Sequence, residues 1–289
     1  MKKQSALQIT VQTLLITGIS IFALAPAHAE NPVASATQSS SGQDQEQSQQ
    51  QDKTGTNPVN FTKDIRVYSE YSWLNTAGDG NQSLTTTEFR TPFADGKWQW
   101  RVRARFNALK ADLNDDDVEE IDESGFGDID MRFLTVPYLD MAKQQAVAVG
   151  LEVFLDTASE DALGSGTTSL GPQVFYVKFL PTGLFAPALQ YKFSVDEATG
   201  RNETDQILID LNYLRMAKDK QSWFFVDPQI IIDNEAETEY SIVDFEFGVM
   251  MSKWTDLQGH SLYIRPSVGV GADRPVDYSV EVGYKIVGF

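Results

Sequence analysis

The sequence contains no cysteine, which removes disulfides, thiolate metal sites and cysteine nucleophiles together. It has only two histidines, His28 and His260, and no paired zinc ligands, phosphate loop or dinucleotide fingerprint. Basic residues are scarce, with 23 Lys and Arg against 41 Asp and Glu and a net charge of −18. Phosphate backbones need Lys and Arg, so nucleic acid is excluded as a partner. Beyond residue 29 no segment approaches the ~20 continuous apolar residues of a spanning helix. If the chain crosses a bilayer, it must do so with strands closed on themselves.

Residues 1–29 have the layout of a cleavable secretory signal peptide. Lys2 and Lys3 form a positive start, an apolar stretch runs from Leu14 to Leu24, and Ala27-His28-Ala29 gives a small-x-small cleavage pattern. Residues 30–61 include the Gln/Ser-rich run 39–52. With no large apolar side chain to bury, that run cannot offset its ordering entropy, and a disordered periplasmic lead is expected.

From residue 62 to 289 the pattern is period two. It is clearest over 97–108, where Trp98, Trp100, Val102, Ala104 and Phe106 alternate with Gln99, Arg101, Arg103, Arg105 and Asn107. Successive side chains of a strand point to opposite faces, so one face is apolar and the other carries three arginines. Twelve such segments can be counted: 63–75, 83–93, 97–109, 124–138, 143–156, 168–180, 184–196, 203–216, 220–233, 239–253, 259–273 and 276–289. Very short connections at 94–96, 139–142, 181–183, 217–219 and 255–258 alternate with others that include 110–123 and 157–167. An even strand count with short turns at one end and longer loops at the other predicts an all-β, antiparallel, up-and-down transmembrane barrel.

Aromatics sort by height. Phe93, Trp98, Trp100, Tyr138, Phe179, Phe185, Trp223 and Trp254 fall near short turns, and Tyr71, Trp73, Phe126 and Tyr240 near the other end. Two interfacial girdles are expected from this. The terminal Phe289 resembles the C-terminal signal of outer-membrane barrels that assembly machinery reads.

Two stretches, 125–134 (GFGDIDMRFL) and 150–172 (GLEVFLDTASEDALGSGTTSLGP), resemble the outer-membrane barrels grouped with the meta-pathway of phenol degradation. The likeness is carried by a Gly-Asp strand start and a Gly-x-Gly…Gly-Pro loop exit; Ala158-Ser159 stands where that family has Gly-Asp. The resemblance implies a bacterial outer-membrane barrel that helps small, often aromatic, molecules enter.

Charge on the lipid face is costly, so the charged strand residues are expected to line the lumen. The basic members are Arg101, Arg103, Arg105, Arg132, Lys178, Lys192, Arg265 and Lys285. The acidic members are Asp128, Asp130, Glu152, Asp156, Asp210, Asp227, Asp244, Glu246 and Glu281. Two readings stay open: a water-filled passage whose transverse field orients solutes, making the protein a passive pore, or a lumen filled by its own ion pairs, making it a closed structural barrel.

The acidic run 112–123 places Asp112, Asn114, Asp116 and Glu123 at positions 1, 3, 5 and 12 of a calcium loop. Asp117 replaces the glycine such a loop needs, so weak Ca²⁺ binding at an external loop, bridging lipopolysaccharide phosphates, is the most this run offers. A third reading is a barrel lipid hydrolase using His260, but Ser261 and Ser267 have the opposite strand parity to it. No enzyme activity is expected.

Overall fold

The computed structural model describes residues 54–78, 80–113 and 121–289. The expected signal peptide, residues 30–53 of the expected lead, and Asn114 and Asp116 lie outside the described residues. Thirteen strand segments follow in order: β1 (Asp64–Leu74), β2 (Gly80–Phe93), β3 (Trp98–Ala111), β4 (Ile121–Phe126), β5 (Ile129–Asp140), β6 (Gln145–Leu155), β7 (Thr167–Leu180), β8 (Gly183–Glu197), β9 (Asp205–Met216), β10 (Ser222–Asp233), β11 (Thr238–Met250), β12 (His260–Val270) and β13 (Val276–Val287).

Apart from β4 and β5, each strand pairs antiparallel with its sequence neighbours, and β1 pairs with β13 over Asp64–Leu74, which closes the sheet. Both β4 and β5 pair with β3, at opposite ends of it. They are the two halves of one spanning strand, so the barrel has twelve strands, as predicted. The interruption falls at Gly127-Asp128, where the Gly127 amide donates to the Arg105 carbonyl (3.0 Å). The β11–β12 connection is longer than expected, because β11 stops at Met250 and a single 3₁₀ turn, Met251–Lys253, follows. Thr255 caps that turn through its amide and its hydroxyl, both donating to the Met251 carbonyl at 2.9 Å.

The alternation resolves as the sequence predicts. In β3, Gln99, Arg101, Arg103, Asn107 and Leu109 are buried, while Phe106 is 47% and Trp98 39% exposed. Val67, Leu189, Phe247, Ile264, Val268 and Val282 are likewise exposed around the outside. An apolar exterior over a charged interior inverts the arrangement of a water-soluble domain and matches a barrel immersed in acyl chains. Three girdle assignments are corrected: Trp223 (4% exposed) and Tyr240 (5%) face inward. Phe179 packs against the buried apolar cluster rather than outward.

Turning Val102 outward gives a direct test. A Val102→Arg substitution is expected to destabilise the folded barrel by ~2–4 kcal/mol near the bilayer midplane, measured by denaturant titration of protein folded into lipid vesicles.

Candidate lumen site

Cross-strand register builds the charged interior. One row runs Asp64–Arg90–Arg101–Arg132–Glu152 across β2, β3, β5 and β6 from β1. The row beside it runs Arg66–Glu88–Arg103–Asp130. Three arginines stand directly opposite one another in the first row, which alone would be repulsive. The acids of both rows offset this. Glu88 is within 3.2 Å of Arg66 Nε and 2.6 Å of Arg90 Nε. Asp130 lies 3.2 Å from Arg101, 3.0 Å from Arg103 and 2.5 Å from Arg105. Glu152 pairs with Arg101, and with Arg103 at 3.0 Å. All of these except Arg105 are essentially fully buried. Gln190 also reaches Glu152 Oε2 (3.3 Å), passing over Gly171, where a Cβ would lie 2.7 Å from its amide nitrogen.

A second cluster sits on β10–β13. Glu246 accepts from Trp223 Nε1 (2.7 Å) and Lys285 Nζ (3.0 Å) and pairs with Arg265. Arg265 continues to Glu281 (3.5 Å), which accepts from the Tyr263 hydroxyl at 2.6 Å. The Trp223 ring lies over Gly248, where any Cβ would fall 2.0 Å from it. Asp210, Asp227 and Asp244 line β9–β11 between the clusters and are at most 3% exposed.

Chain segments pack on inward-facing residues at both ends of the barrel. At the short-turn end residues 54–58 are buried, although the sequence assigns 54–61 to the lead. Arg66 Nη2 donates to the Gly55 carbonyl (2.5 Å), as does Arg90 Nη1 (3.3 Å), and Gln99 Nε2 reaches the Thr62 carbonyl (3.3 Å). Val59 and Phe61 pack on an apolar cluster that includes Leu134, Phe175, Val177, Leu184 and Leu214. The barrel's own arginines and apolar side chains thus hold this strap.

At the other end the 156–166 loop is held by Asp128. Its Oδ1 accepts from the Thr157 and Ala158 amides (3.0 and 3.1 Å), and its Oδ2 from the Ser165 amide and hydroxyl (2.7 and 2.8 Å). Asn107 Nδ2 donates to the Leu163 carbonyl (3.0 Å). An Asp128→Ala substitution is expected to release this loop, seen as faster amide exchange at Thr157, Ala158 and Ser165 with β3 and β6 unchanged.

Of the residues predicted to line the lumen, Asp128 acts as this clamp and Lys178 is corrected. In β7 the buried positions are Thr167, Ser169, Gly171, Gln173, Phe175 and Val177, so Lys178 has the outward parity. It sits at the rim with Nζ on the Lys143 carbonyl (2.8 Å), where a long cationic side chain reaches polar surroundings. Lys192 is buried, its ammonium 4.4 Å from the Phe154 ring centroid. Asp64, Arg66, Glu70, Glu88 and Arg90 are buried too, and join the predicted set.

Outside the spanning strands, Asp219 accepts from the Gln221 amide and Lys253 Nζ, both at 3.0 Å. The amide bond first, and then the lysine, hold its carboxyl below the usual carboxylate range. His260 Nδ1 is hydrogen-bonded to the Tyr284 hydroxyl, whereas Ser261 and Ser267 face the lumen. Asp112 packs against Gly78, and Glu123 stands opposite Leu109 on β4. Among the described residues no group of three Asp, Glu or His side chains is placed to hold a metal ion.

No family model and no curated protein sequence matches the chain. Solved structures resemble it in fold. An outer membrane channel from Pseudomonas putida F1 superposes with a TM-score of 0.59 at 13% identity, over 78% of this chain and 95% of that one. The translocator domain of the autotransporter NalP from Neisseria meningitidis gives 0.50 at 10% identity, over 85% and 95%. At these identities the superpositions show a shared barrel fold and nothing further.

Proposed function

We propose that this chain is a passive pore of the bacterial outer membrane for small solutes. The observation that carries the reading is a closed barrel whose outside is apolar and whose inside is a continuous belt of charged and amide side chains. An outer membrane channel is among the structures of similar fold, and the resemblance of 125–134 and 150–172 to phenol-pathway barrels extends the solute class to small aromatics. Paired arginines on one wall and acids on the other would set a transverse field across the passage. Lipid and lipopolysaccharide surround the barrel, Phe289 serves its assembly, and the 112–123 run binds Ca²⁺ weakly.

A second reading, a non-conducting structural barrel, is favoured by the fully buried ion pairs and by the segments packed inside both ends. Planar-bilayer recording of refolded protein separates them. Discrete conductance steps support the pore; silence from the intact protein and from protein lacking the strap overturns it. The hydrolase reading loses its base, since His260 is bonded to Tyr284 on the opposite face from Ser261 and Ser267.

A further inference from the structure

We infer that the β9–β11 wall of the lumen is a binding subsite for a monovalent cation, a hydrated alkali ion or an organic ammonium, formed by Asp210, Asp227 and Asp244. The inference deepens the pore reading and names the solute charge that the passage selects.

The register concentrates these acids. Asp227 stands directly opposite Asp244 across β10–β11, and Asp210 directly opposite Gln229 across β9–β10. Directly opposed side chains have Cβ atoms about 4.5–5.5 Å apart, and like charges there repel. Gln229 has one amide nitrogen to offer, shared between Asp227 Oδ2 (3.4 Å) and Asp244 Oδ2 (3.1 Å). The Oδ1 atom of each of the three aspartates is buried without a hydrogen-bond partner.

No Lys or Arg among the described residues forms an ion pair with any of them. Arg265, on the neighbouring strand, is engaged by Glu246 and Glu281. Lys192 is four residues along β8 from Ala188, the residue opposite Asp210, or roughly 13 Å at strand rise. Across the lumen Glu88, Asp130 and Glu152 pair with Arg66, Arg90, Arg101, Arg103 and Arg105.

An independent sign of a missing partner is Asn212. It lies two residues from Asp210 on the same inward face, is 4% exposed, and its Nδ2 donates to nothing. Unmatched buried carboxylates are costly unless something supplies positive charge and donors. An ammonium or the water shell of an alkali ion supplies donors to the three Oδ1 atoms. The shell water, or a polar group carried by the amine, gives Asn212 its acceptor.

The test compares the intact protein with the isosteric triple variant Asp210→Asn/Asp227→Asn/Asp244→Asn. In planar bilayers under a KCl gradient, the reversal potential should show a several-fold preference for K⁺ over Cl⁻ that falls to near parity in the variant. Replacing K⁺ by methylammonium distinguishes the alkali ion from the organic cation by which one is preferred. A second readout needs no conduction. At constant ionic strength, exchanging K⁺ and methylammonium for the bulky N-methylglucamine should lower the unfolding temperature of the intact protein and leave the variant's unchanged. Loss of this cation dependence in the variant without any conductance would uphold the subsite and refute the pore. Conductance without cation preference, together with an unfolding temperature that no cation shifts, would refute the subsite and leave the pore standing.

Discussion

Removing residues 30–61 is expected to raise single-channel conductance several-fold. The described part of that stretch packs inside the short-turn end. Gly55 is caught between Arg66 and Arg90, and Val59 and Phe61 lie on the apolar cluster below them. The strap contributes no strand to the barrel, whose closure runs through β1 and β13, so the ring should survive its loss. A milder variant guards against misfolding: Val59→Asp/Phe61→Asp keeps the Gly55 contacts but places charge against Leu184 and Leu214, and should give frequent opening steps rather than a uniformly larger pore. Unchanged conductance in both variants would show that the strap does not obstruct the passage.

Glu246→Ala should be among the most destabilising single changes in the barrel. Glu246 is fully buried and is the shared acceptor of Trp223, Arg265 and Lys285. Removing one partner of a buried ion pair costs about 3–5 kcal/mol, because the cations left behind stay desolvated. The unfolding midpoint of vesicle-folded protein in urea should fall accordingly. Glu246→Gln keeps an oxygen for the Trp223 indole and should lose less. Adding Lys285→Met to Glu246→Ala should recover part of the loss, since one orphaned cation is then gone. Equal stability of the alanine variant and the parent would mean that water, not Glu246, solvates these groups.

The barrel was legible because period two is a covalent property of extended chain. Trp98 to Asn107 could only sort as they do, and the same rhythm repeats in every strand. Asp64, Arg66 and Glu70 alternate with Ile65, Val67 and Tyr71, so their inward position was also written in the chain, though it was not among the predicted lumen set. What parity could not supply was the exception at a rim. Lys178 was placed inside because charge in lipid is costly, but that cost fades near water, and Lys143's carbonyl takes its ammonium. Trp223 was assigned to a girdle by height alone; its inward turn depends on Gly248 beneath the ring and Glu246 beyond it, residues two strands' worth of sequence away. The strap and the Asp128 clamp rest on contacts between distant segments, and nothing local in Pro58-Val59-Asn60-Phe61 announces them. The facing acids of β10 and β11 likewise emerge only when register sets Asp227 opposite Asp244.

The lipid-facing assignment of alternate residues underlies every role proposed, and the cysteine-free sequence makes it simple to probe. Single cysteines at Val102, Ala104 and Phe106, and at Gln99 and Asn107, can each carry a bimane label in vesicles containing brominated lipid. Strong quenching at the first three and weak quenching at the last two is the expected result. Quenching that ignores the alternation, or that is strongest at Gln99 and Asn107, would contradict a barrel with its apolar face in the bilayer.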